Sequence, residues 1–200
     1  MDPDTGAFGS AVASRSVAVG GTVAYSRVGV GVVNTQNYAH LTLGERVLDL
    51  MERGSGPQQA LAKILETDAG ADTRQLIAID TSGHTGAWSG KECSPIFFHR
   101  VGINCAAAGN RLASREVVER MVETFQSHHG IPLGERLMAS LEAGEAAGGD
   151  ERGRQAAAVR VVPGSKITPV AINLDLRVDD HPAPLKELRR LYRVFLKEFG

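Results

Sequence analysis

The chain has 200 residues, 42% of them apolar, and a formal charge of −1 from 22 basic and 23 acidic side chains. That is enough apolar material for one sizeable core, so a single domain over residues 1–200 is expected. The balanced charge excludes the cationic field that nucleic acid or an anionic membrane surface selects, and no stretch approaches the length of a membrane span. The first nine residues lack a basic n-region and a continuous apolar h-region, which makes the cytoplasm the default location. Cys93 and Cys105, the two cysteines, lie in no metal-like cluster and are expected to be reduced and packed.

The chain opens on a cluster of turn formers, Asp2-Pro3-Asp4-Thr5-Gly6, followed by Phe8-Gly9-Ser10-Ala11-Val12-Ala13-Ser14-Arg15, which alternates loosely between larger and small side chains. This reads as the turn and second strand of a β-hairpin whose first strand is absent, or else as a frayed terminus. Val17, Val19, Val23 and Val28 to Val33 continue in a Gly- and Ser-rich run, so a long second strand is expected, with small side chains that let another backbone or a ligand approach closely.

Thr42 and Glu45 have capping-box spacing, and Val47, Leu48, Leu50 and Met51 give a helix an apolar face until Gly54 ends it. Ser55 and Gln58 repeat the spacing, Pro57 suits a first turn, and Leu61, Ile64 and Leu65 continue as a second short helix, making a helical hairpin. Residues 75–80 are too short and too β-branched for a helix; Thr81-Ser82-Gly83 turns the chain, and 85–89 return as a paired strand. A further strand is expected over 104–108. Val117, Val118, Met121, Val122 and Phe125 mark a helix, and Leu133, Leu137, Met138 and Leu141 mark another. After the Gly- and charge-rich stretch 144–154, strands are expected at 157–162 and 170–178, and Leu185, Leu188, Leu191, Tyr192 and Phe195 finish in an amphipathic helix. This grouping favours α+β, with helix layers over largely antiparallel sheets.

Asp4-Thr5-Gly6-Ala7-Phe8-Gly9 with Ala13-Ser14-Arg15, Thr35-Gln36, Arg74-Gln75-Leu76, Gly109-Asn110, the run from Gly148-Gly149-Asp150 to Arg154-Gln155, and Asp175-Leu176-Arg177-Val178-Asp179-Asp180-His181-Pro182 occur in this order. Together they resemble the DUF1028 family, a group of poorly characterised bacterial proteins placed in the Ntn-hydrolase superfamily, and the match covers nearly the whole chain. The resemblance implies a four-layer αββα sandwich, the architecture of proteasome subunits and N-terminal-nucleophile amidohydrolases. Family members begin with a short β-strand ahead of the Asp-Pro-x-Thr-Gly turn, and this sequence has none of it. In an Ntn hydrolase a Thr, Ser or Cys at the mature N-terminus attacks a carbonyl while its own α-amine, with a pKa near neutral, serves as base. Met1 offers no such nucleophile. A misassigned start, with the first strand encoded upstream, is favoured over a genuinely shortened protein, because losing a central strand would leave unpaired backbone groups inside a sheet.

Within that resemblance, Gln36 and Asn37 follow a strand where an oxyanion hole is built, and Asn110 ends another where a side-chain amide can orient a substrate carbonyl; an ordinary helix start and an Asn turn are the plain alternatives. Where the family often has Gln before Gly-Asn, this chain has Ala108. Arg15 either meets a substrate carboxylate or, the favoured choice, pairs with an acid such as Asp150 or Asp180. The loop carrying Asp150, Arg154 and Gln155 either wraps a pocket or closes a hairpin. Asp175, Arg177 and Asp179 share one strand face and are expected to form a buried salt-bridge network. The six histidines are scattered, giving no metal site and no implied cofactor, and a Ser14-His99-Asp80 triad lacks a nucleophile-elbow motif. The expected function is an Ntn-type amidohydrolase acting on a small amide or peptide-like bond, its nucleophile outside these residues. The alternative is a noncatalytic small-molecule-binding protein that keeps the fold and pocket. The fold's habit of oligomerising adds a homo-oligomer to the expected partners.

Overall fold

The turn at the start of the chain closes as its residues dictate. Thr5 Oγ1 donates to Asp2 Oδ2 at 2.6 Å, the Gly6 N–H donates to Asp2 O at 2.9 Å, and Gly6 takes φ +69°. The chain then enters β1 (Phe8–Ser14). The computed structural model describes residues 1–164 and 174–199.

The long second strand is not formed. After β1 come α1 (Val19–Val23), β2 (Ala24–Arg27) and β3 (Gly31–Asn37). Ala18, at φ 54°, breaks the extended run, and α1 docks so closely that a Cβ on Gly20 would stand 2.4 Å from Ala158 Cβ. Gly20 therefore serves a close helix-to-sheet approach that strand periodicity does not encode.

The helical hairpin is present as α2 (Leu43–Glu52) and α3 (Pro57–Leu65), but its capping boxes are not. Thr42 makes no side-chain cap bond; its hydroxyl meets His40 Nδ1 at 3.1 Å, and Glu45 is taken by Arg27 at 2.7 Å. At α3 the cap is Gly56, and Gln58 Oε1 accepts the Ala87 N–H at 3.0 Å. Arg27 also bonds Asp49 and Glu52, at 2.8 and 2.9 Å, so it fastens β2 to α2 in place of the cap.

A sheet of order β2-β3-β4-β5 uses β4 (Arg74–Asp80) and β5 (Thr85–Ser89). One face buries Val33, Leu76 and Ala78 against Val47, Leu48, Leu61 and Ile64 of the helical hairpin. A hairpin follows, β6 (Phe98–Gly102) and β7 (Cys105–Gly109). The sequence marked its second strand and missed the first, which turns at Asn104 in the left-handed region, φ 57°. The helices α4 (Glu116–Ser127) and α5 (Leu133–Ala146) appear as expected. The third sheet has the order β1-β8-β9, from β8 (Ala156–Val162) and β9 (Leu174–Val178), and α6 (Pro184–Phe199) covers β8 and β9. Positions 170–173 of the last expected strand lie outside the described residues. All strand pairings described are antiparallel, so the fold is a mixed α/β one with six α-helices among the described residues.

β1 and β7 lie between the same neighbours. Helices α4 and α5 pack on one side of them, and β3 and β4 approach from the other. Among the described residues β1 pairs with β8 on one edge, β7 pairs with β6 on one edge, and their other edges face a common slot. No described helix is long and apolar enough to cross a membrane.

Candidate functional site

The slot is a cavity of about 980 Å³. Gly9 to Ser14 of β1 form one wall and Cys105 to Gly109 of β7 the other, with Val118, Met121 and Leu141 of α4 and α5 above. The floor is set by strand periodicity: Val32, Asn34 and Gln36 share a face of β3, and they stand opposite Ile79, Ile77 and Gln75 of β4. The cavity is thus apolar at one end and amide-lined at the other. Midway, Ser10 Oγ donates to Asn34 Oδ1 at 2.7 Å.

At the polar end Gln75, with no exposed surface, is the hub. Its Oε1 accepts from Gln36 Nε2 at 2.7 Å and from Asn110 Nδ2 at 3.1 Å. Its Nε2 donates to Ser89 Oγ, Gly109 O and Phe98 O, at 2.9, 3.0 and 3.3 Å. Ser89 Oγ in turn lies 2.8 Å from His99 Nδ1, and burial lowers the His99 pKa below its ordinary 6.5. Gln36 and Asn110, expected as site residues from separate motifs, are thereby brought together. Asn37 also borders the cavity, but its amide is tied into the backbone: Nδ2 donates to Thr73 O at 2.6 Å, and Oδ1 accepts the Ser94 N–H at 3.2 Å. Its φ of 66° suits asparagine, which tolerates the left-handed region.

Asp150 and Arg154 also border the cavity, on a loop whose Asp150 bridges Leu112 two residues beyond Asn110, and Arg15 and Gln155 do not border it. Burial pushes the Asp150 carboxyl up, but hydrogen bonds from the Arg152 side chain and backbone and from the Arg15 N–H outweigh it and hold the group below the usual carboxylate range. Arg154 Nε bonds Glu145 at 3.0 Å. The Arg15 side chain makes no ion pair with Asp150 or Asp180; it donates to Gln155 Oε1, and Gln155 Nε2 donates to Asp180 Oδ1 at 3.1 Å. The Asp175-Arg177-Asp179 network is not buried: Arg177 pairs with Asp179 and Asp175 with Arg160, on side chains 40 to 50% exposed.

The cavity rim carries Arg111, Arg152, Arg154, Asp150, Glu145 and Glu151, while no histidine or lysine borders it among the described residues. His99 bonds Ser89, Asp80 bonds His84 at 3.0 Å, and Ser14 borders the cavity, so the three groups of the rejected triad have separate surroundings. Cys105 also lines it, and burial pushes its thiol up from its ordinary pKa, against thiolate formation. No group of three or more His, Cys, Asp or Glu among the described residues is placed to hold a metal ion. Sequence reasoning missed Gln75 as hub, together with Ser10, Asn34 and Ser89. The available signal was Asn34 and Gln36 at alternate positions of a valine-rich strand, which puts two amides on one face.

The fold and cavity therefore define a mixed α/β protein with a strand-walled pocket ending in neutral amides. The chain belongs to the DUF1028 family, a family of unknown function, whose pattern matches residues 1–188. It is similar to the crystal structure of SPO2555, a DUF1028 protein from Silicibacter pomeroyi, with 33% identity over 97% of this chain and 85% of that one, and a TM-score of 0.87. A more distant likeness is to Anbu (ancestral beta-subunit) from Yersinia bercovieri, 11% identical over 95% of this chain and 90% of that one, with a TM-score of 0.41. No curated protein matches the chain.

Proposed function

We propose that the protein is an amidohydrolase of the N-terminal-nucleophile type, built as a four-layer αββα sandwich, and that it acts on a small amide or peptide-like bond. The observation that carries this reading is the slot between β1 and β7. Its two walls are strand edges without a pairing strand among the described residues, its floor and roof are a sheet and a helix pair, and its polar end gathers Gln36 and Asn110. The attacking group belongs to a strand seated in that slot, with its head beside the amides. Gln36 and Asn110 then hold the substrate amide, and Asn37 keeps the end of β3 in place by binding Thr73 and Ser94.

A second reading, a noncatalytic binding protein, is favoured by one specific observation. The hydroxyls and thiol along the cavity, Ser10, Ser14 and Cys105 among them, have no histidine or lysine base beside them among the described residues. Intact-mass and N-terminal sequencing of the protein isolated from its own host, followed by turnover assays on small carboxamides and dipeptides, separates the two. A Thr, Ser or Cys at the mature N-terminus together with turnover supports the hydrolase. Amide binding without turnover by the native protein puts the binding reading in its place.

A further inference from the structure

Hydrogen-bond accounting at the polar end of the cavity decides which way each amide faces. Phe98 O and Gly109 O are main-chain carbonyls and only accept. Gln75 therefore turns Nε2 toward them, and its Oε1 faces Gln36 and Asn110. An oxygen cannot donate, so both neighbours must present nitrogen to it, as they do at 2.7 and 3.1 Å. Their carbonyl oxygens are turned off the cluster. Both residues border the cavity, and among the described residues neither oxygen has a donor or is sealed from solvent.

We infer that Gln75 is a positioning residue that holds Gln36 Oε1 and Asn110 Oδ1 as a pair of hydrogen-bond acceptors facing the cavity, and that the site selects ligands presenting N–H donors, a carboxamide or an ammonium, over carboxylates. A carboxylate brings only acceptors and meets two carbonyl dipoles negative end first. A carboxamide is the fullest match, because the second hydrogen on each side-chain nitrogen leaves a donor for the ligand's own carbonyl. This specificity rests on the cavity being the ligand site, as proposed above, and not on turnover.

The test compares propanamide, propylammonium and propanoate by titration against the ¹⁵N-labelled protein, reading the side-chain NH₂ resonances of Gln36 and Asn110. Propanamide is expected to shift both at a concentration about tenfold lower than propanoate, the ratio that two hydrogen bonds supply, with propylammonium between them. In Gln75→Met, which keeps length and removes both hydrogen-bonding ends, the ratio is expected to fall to about twofold or less as the two amides become free to turn. Propanoate binding as well as propanamide in the wild type overturns the inference. So do probe shifts confined to backbone amides of β1 and β7, which leave the cavity as a ligand site. Absence of any shift in the cavity overturns both this inference and the function proposed above, whereas selective binding without hydrolysis leaves the inference standing and removes only the hydrolase.

Should Gln75→Met not fold, Asn110→Asp decides. An aspartate facing Gln75 Oε1 bonds it only when protonated, so this variant is expected to be less stable relative to wild type at pH 7 than at pH 5. An unchanged difference across that range means the amide faces the other way, and the inference fails.

Discussion

Gln75 has two separable roles, specificity and stability. With its side chain fully buried, truncation to alanine strips partners from Phe98 O, Gly109 O, Gln36 and Asn110 at once. Unsatisfied buried polar groups cost about 1–3 kcal/mol each, and Gln36 and Asn110 recover part of the loss from solvent in the cavity, so Gln75→Ala is expected to destabilise by about 2–3 kcal/mol. The urea midpoint should fall with an unchanged m-value. The same cluster contains a pH-sensitive group. Burial lowers the folded-state pKa of His99, so as pH falls the unfolded chain takes up the proton first. Stability from this group is complete above 6.5 and declines as pH drops through the folded value. His99→Asn, whose amide can either donate to or accept from the Ser89 hydroxyl, should flatten the urea-midpoint profile between pH 7 and 5 relative to wild type. Gln36 and Asn110 were legible in the sequence because each sits in a short motif. Their meeting was not, because Gln36, Gln75, Ser89, His99 and Asn110 come from five separate strands or strand ends, and only tertiary pairing places them together.

Elements were legible where a hydrophobic period stood above the noise. The faces of α2 to α6 and the apolar runs of β4 and β8 all announce themselves through burial. The run after β1 did not, because Val17 to Val33 mixes β-branched residues with glycines, of which Gly20 serves a contact with a strand more than a hundred residues away. Gly20→Ala tests that account. Its new methyl group would press on Ala158 Cβ from 2.4 Å, and neither α1 nor β8 has a flexible side chain there to yield. Overpacking of this kind costs about 1–3 kcal/mol. For a chain of this length that corresponds to a Tm lower by about 2–12 °C. If the glycine served only strand or loop flexibility, alanine would leave Tm unchanged or raise it. The capping boxes failed for a related reason: spacing identifies residues able to cap, and here Arg27 and the Ala87 N–H compete for Glu45 and Gln58 and win.

At the scale of the molecule, the slot sets how stability is distributed. β4 and residues 31–34 of β3 are paired on both edges, whereas β1 and β7 each have one pairing partner among the described residues. In an antiparallel strand alternate residues direct their N–H groups to opposite edges, so about half of the amides in β1 and β7 face the cavity instead of a neighbouring strand. Those amides are expected to exchange with solvent deuterium by local opening, at least about tenfold faster than the alternate amides directed at β8 and β6, and faster than those of β4 or of residues 31–34 in β3. Residue-resolved hydrogen exchange by NMR reads this directly. Uniform protection along β1 in the 200-residue chain by itself would mean that the slot is closed in solution and that its walls pair with each other, which would remove the cavity on which the functional reading rests. Alternating protection would instead establish a preformed receptor for an extended chain, since an inserted strand pairs with both edges and must protect both sets of amides together.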